Sequence, residues 1–109
     1  MPRFLVERYI PGDAQRAAAD VETRARAAAE AMTAEGTVVT YLGSTVLPDD
    51  AVGFCLFEAE SVLDVQLAND RAGLAYLRIT RALDHPGSVV DVPQATPAAT
   101  IPTDLEVGT

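Results

Sequence analysis

Lysine and tryptophan are absent from this 109-residue chain, and cysteine and histidine occur once each. Each gap removes a class of function. With Cys55 alone, no disulfide closes within the chain and no thiolate metal cluster forms. The eight basic residues are all arginine, scattered from Arg3 to Arg81 against sixteen acidic residues, so the basic footprint of a nucleic-acid-binding protein is missing. No apolar run approaches the length of a membrane span. The opening MPRFLVERYIPG carries Arg3, Glu7 and Arg8 where a signal peptide needs an uninterrupted apolar core. These readings lead to the expectation of a cytoplasmic protein with no nucleic-acid partner and no membrane. A Gly-rich phosphate loop, a nucleophile elbow and a metal-spaced cluster are also missing from the sequence, and no cofactor is expected.

What is present is a nearly half-apolar chain, long enough for one core and too short for two. Residues 3–9, RFLVERY, alternate as a strand and stop at Pro11-Gly12. Asp13 is placed to cap a helix running to about Glu35, whose inward stripe is Ala18, Val21, Ala25, Ala28, Ala29 and Met32. Residues 37–47 are rich in β-branched side chains and reach the turn Pro48-Asp49-Asp50, after which GFCLFEA resumes the strand pattern; together they predict a hairpin. Ser61 and Asp64 have capping-box spacing for a second helix that buries Val62, Val65 and Leu63 or Leu67 and ends at Gly73. A last strand is expected over residues 74–83. From Asp84 onward the chain holds four of its seven prolines, so residues 86–109 read as an extended or disordered tail following a domain of residues 1–85.

Strand, helix, strand, strand, helix, strand with right-handed crossovers is the α+β, ferredoxin-like βαββαβ order, with strand order 4-1-3-2 and both helices on one face of an antiparallel sheet. The other face is then apolar and uncovered, which points to a homodimer in which a second copy closes a barrel. Cys55, Phe57 and Ala59 are wholly apolar and belong under the helices, as do Phe4, Val6, Leu77 and Ile79. Glu58, Phe54, Leu56, Leu5, Glu7, Tyr9, Tyr76, Arg78 and Thr80 fall on the open face. Glu7 should meet Arg78, and Glu58 should meet Arg3. The two carboxylates are either partnered strand charges or acids in contact with a ligand in a cavity; Tyr9, Tyr41 and Tyr76 are further candidates for its lining. Cys55 reads as an inert core thiol, His85 as a loop residue, and Asn69-Asp70 as solvated helix surface.

The stretches FLVERYIPG, YLGST, FCLFEAES and NDRAGL together resemble a family of small bacterial proteins of unknown function, over about residues 3–83. One member of that family is described as nickel-binding. The resemblance implies a dimeric α/β barrel. It also implies that the histidines relatives place in the second strand and second helix correspond here to Gly43 and Ala68, so no metal site is carried over. Two functions are expected on these grounds: a small homodimeric protein that binds a small-molecule ligand, or a cofactor-independent monooxygenase, isomerase or cyclase acting on an apolar or aromatic metabolite.

Overall fold

The computed structural model describes residues 1–83 and 85, and the expected tail lies outside the described residues. Seven segments follow one another: β1 (Arg3–Tyr9), α1 (Ala14–Ala34), β2 (Val39–Leu47), a short 3-10 turn (Pro48–Asp50), β3 (Val52–Ala59), α2 (Val62–Ala72) and β4 (Arg78–Ala82). The strands form one antiparallel sheet in the order β2-β3-β1-β4, the ferredoxin-like arrangement that the element order predicts. Among the described residues no helix is long and apolar enough to cross a membrane.

Local chemistry fixes the helix ends. The Asp13 carboxylate accepts the Arg16 backbone N–H at 3.2 Å, and the Ser61 hydroxyl accepts that of Asp64 at 3.3 Å, each satisfying a donor the first helical turn leaves unpaired. Gly73 ends α2 at φ +69°, a left-handed conformation that costs glycine no side-chain clash. At the end of α1, Arg71 donates to both carboxylate oxygens of Glu35, at 2.7 and 2.6 Å. That hydrogen bonding ties the two helices together and holds the Glu35 carboxyl below its ordinary range.

The core lies between the sheet and the helices. Phe4, Val6, Cys55, Phe57 and Ala59 rise from β1 and β3 to meet Val21, Ala25, Ala29 and Met32 of α1 and Val65 and Ala68 of α2. Because α1 presents mainly alanine, its backbone approaches the sheet closely. The largest side chains, Phe57 and Val6, are then fully enclosed, each such burial contributing about 1.5–3 kcal/mol.

The structure departs from the sequence expectation at α2 and β4. Val62, Leu63 and Leu67 are exposed, and the inward stripe of α2 is Val65, Ala68 and Asn69. The last strand begins at Arg78 rather than at residue 74. Residues 74–77 alternate like a strand, but their backbone groups are taken elsewhere: Leu74 N–H donates to Asn69 O at 3.0 Å, and Leu77 N–H to Glu7 O at 2.7 Å. The bend at Leu77 reverses the alternation. Leu74 and Tyr76 therefore pack against the core, while Leu77 is 62% exposed; the expectation had Tyr76 on the open face and Leu77 under the helices.

Candidate functional site

Alternation along β1 and β3 sends Leu5, Glu7, Phe54, Leu56 and Glu58 to the face of the sheet away from the helices. Register then decides which of them meet. Glu7 stands opposite Phe54 and Arg78, Leu5 opposite Leu56 and Thr80, and Arg3 opposite Glu58. Both expected ion pairs form: Arg78 Nε donates to Glu7 Oε1 at 2.9 Å, and Arg3 Nε to Glu58 Oε2 at 3.3 Å. Each carboxylate is about a quarter exposed and lies at one end of β1, with Leu5, Phe54 and Leu56 between them. A hollow of about 320 Å³ opens there, walled by Leu5, Leu42, Thr45, Phe54 and Leu56. So Glu7, Glu58 and Arg78 share the open face, Tyr9 is exposed at the end of β1, and Tyr41 and Tyr76 belong to the helix side.

Tyr41 follows Val39 by two and shares its helix-facing side, and β2 carries a bulge just beyond it. Tyr41 pairs with Phe57 and Gly43 with Leu56, leaving Leu42 as the extra residue, and Gly43 holds φ +149°. The shift brings Ser44 opposite Cys55, onto the same side as Tyr41. Ser44 Oγ is hydrogen-bonded to the Tyr41 hydroxyl and lies 3.2 Å from Cys55 Sγ. Phe57 meets the Tyr41 ring edge-on at 5.6 Å, and the Arg26 guanidinium sits 5.2 Å above it. Burial pushes the Tyr41 hydroxyl above its ordinary pKa of 10.0, against the opposing effect of the Ser44 hydrogen bond. Above that pH the unfolded chain ionises Tyr41 while the folded chain still holds the proton, so stability falls as pH rises. Tyr41→Phe should flatten this alkaline loss. Urea midpoints measured from about pH 9 to 11 check it, and equal slopes for the two proteins would show that Tyr41 is not the group responsible.

The sequence reading missed two buried polar residues. Arg8 is 2% exposed and Asn69 1%, so Asn69 is not the solvated surface expected of it. Arg8 donates to Asn69 Oδ1 at 2.6 Å and to Ala75 O at 3.0 Å, while its buried Nε has no partner. Asn69 Nδ2 donates to Val65 O at 2.8 Å. The available signal was register: Arg8 continues the Phe4, Val6 alternation, and Asn69 follows Val65 by four. Among the described residues no group of three His, Cys, Asp or Glu side chains stands close enough to hold a metal ion. Cys55 is buried in the core, as expected, and His85 is exposed beyond β4.

The family model for the nickel responsive protein SCO4226-like family matches residues 4–81. The crystal structure of SCO4226 from Streptomyces coelicolor A3(2) superposes with a TM-score of 0.54 at 20% identity, covering 77% of this chain and 99% of that one. At that identity the likeness speaks for the fold alone. A search of curated proteins finds no match.

Proposed function

The chain belongs to the SCO4226-like family of nickel responsive proteins, and from that premise we propose that it acts as a small homodimeric ligand-binding protein whose ligand is not nickel. The observation that carries the reading is the open sheet face, where Leu5, Phe54 and Leu56 lie together with no helix or strand of the described residues above them. Covering this face removes the apolar surface from water, and a second copy packed sheet to sheet supplies the cover. The hollow beside the β2 bulge then becomes part of an enclosed interior, with room for an apolar or aromatic small molecule. The cytoplasm, which keeps a lone thiol such as Cys55 reduced, is the proposed location.

The donors of this chain do not fit nickel. A borderline divalent ion favours imidazole nitrogen, and the one histidine of the described domain stands outside the sheet. Glu7 and Glu58 lie at opposite ends of β1, each beside an arginine that repels a cation. The same pairing argues against a free catalytic base on this face, so binding is favoured over cofactor-independent catalysis. Two measurements on the tag-free protein test the reading. Light scattering at micromolar concentration should give twice the chain mass. Calorimetric titration should show no saturable nickel binding tighter than about 10 µM, a limit of roughly 7 kcal/mol. A monomer mass, or submicromolar nickel binding lost in Glu7→Gln or Glu58→Gln, would overturn it.

A further inference from the structure

The outer side of α2 leaves apolar surface in water. Val62, Leu63 and Leu67 are 42%, 56% and 47% exposed on a helix of only 11 residues. Leu63 and Leu67 stand one turn apart, on the side away from the buried Val65, Ala68 and Asn69. Three large apolar side chains on so short a helix make an unpartnered stripe rather than scattered exposure.

The chain leaves the described domain at the end of the sheet where this helix begins. Ala82 pairs with Arg3 and Arg3 with Glu58, so the end of β4 lies two strand spacings, about 10 Å, from the end of β3. Ser61, three residues after Glu58, caps α2. On the helix side of the exit stands Arg81, opposite the buried Phe4; it is exposed and has no ion pair among the described residues. On the open side, Arg3 is already bonded to Glu58. The charges of residues 86–109 are Asp91, Asp104 and Glu106, all negative. Arg81 therefore draws this segment to the helix side, and the Glu58 carboxylate turns it from the open face.

The first large apolar residues after Leu83 are Val89, Val90 and Val92, and Pro86-Gly87 supplies a turn before them. Pro93 disfavours helical backbone at Val92. In an extended segment Val90 and Val92 point the same way, roughly 6.6 Å apart, with Asp91 opposite. Leu63 and Leu67 are separated by about 6 Å along their helix, so the two pairs match. From Leu83 to Val90 an extended chain spans up to about 23 Å. The outer side of the first turns of α2 lies within about 20 Å of the exit, from the strand spacings and the thickness of one helix.

We propose that residues 89–93 dock in extended form on the outer side of α2 of the same chain, with Val90 and Val92 over Leu63 and Leu67 and Asp91 in water. The contact lies on the helix layer, so the open sheet face stays free for the second copy. Methyl NMR of the full chain tests it. The Val90 and Val92 methyl groups should show NOEs to those of Leu63 and Leu67. Leu63→Ser combined with Leu67→Ser changes two exposed positions and leaves the core intact; it should return both valines to the shifts of an unstructured peptide. Val90→Ser with Val92→Ser should shift the Leu63 and Leu67 methyls and leave those of Val6 and Val65 in place. Valine methyls at unstructured shifts in the unaltered chain, NOEs to Leu5 or Leu56 instead, or valine shifts unmoved by the α2 double variant would overturn the proposal. So would NOEs that vanish in a dimer of one labelled and one unlabelled chain, since the segment would then cross to the partner.

Discussion

Asn69→Ala should lower the stability of this protein by about 2–4 kcal/mol, more than any change on its surface, because it leaves a buried cation without its main acceptor. Arg8 sits under α2 at the end of β1. The guanidinium spends one arm on Asn69 Oδ1 and one on Ala75 O, and its Nε has no partner. Removing the amide takes away the 2.6 Å bond and offers the charge only alanine. For a domain of this size the loss corresponds to a fall in Tm of at least about 10 °C. The consequence reaches the open face through Arg8, whose bond to Ala75 O joins the backbone carbonyls of Asn69 and Glu7 in anchoring residues 74–77, which deliver β4 and place Arg78 against Glu7. Arg8→Met combined with Asn69→Leu should recover most of the loss, because an apolar pair needs no acceptor and Ala75 O lies on an exposed residue that water reaches. Urea titration of the two proteins checks the pair. A double variant no more stable than Asn69→Ala would mean that the cost comes from the cavity and not from the stranded charge.

The same residues show where the sequence is legible. Period-two alternation in RFLVERY and GFCLFEA fixes both faces of β1 and β3, and with the element order it fixes the register of the sheet. The pairs Glu7–Arg78 and Arg3–Glu58 follow from that register, as the distances show. Apolar periodicity fails where a polar side chain is buried for its hydrogen bonds. Arg8 obeys the alternation of β1 but contradicts hydropathy, and with Asn69 inside α2 both Leu63 and Leu67, one of which is expected inside, face outward. The overlong prediction for β4 has the same origin, since residues 74–77 alternate like a strand in sequence but surrender their backbone groups to Glu7, Arg8 and Asn69, and the bend at Leu77 turns their faces over. On β2, only the single extra residue of the bulge separates an open-face Ser44 from one bonded to Tyr41 and Cys55, and YLGST alternates as well in either register.

Leu56→Glu should convert the proposed homodimer to a folded monomer. Leu56 stands between Leu5 of β1 and Gly43 of β2, at the middle of the apolar face. Within one chain its side chain is only half-buried, and its strand pairing is made by the backbone, so a glutamate there is solvated and the fold persists. Across a two-fold interface the substitution acts twice, burying one carboxylate from each subunit. Neither has a partner, because the arginines of this face are engaged with Glu58 and Glu7 at the two ends of β1. At about 2 kcal/mol for each stranded polar group the dimer weakens by about 4 kcal/mol, close to a thousandfold in Kd. Light scattering at micromolar concentration should therefore report the chain mass, with circular dichroism unchanged. Leu63→Glu provides the contrast, since Leu63 is exposed on the outer side of α2 and should leave the dimer intact. The reverse pattern, with Leu63→Glu monomeric and Leu56→Glu still dimeric, would place the contact on the helices and remove the enclosed interior on which the ligand-binding proposal depends.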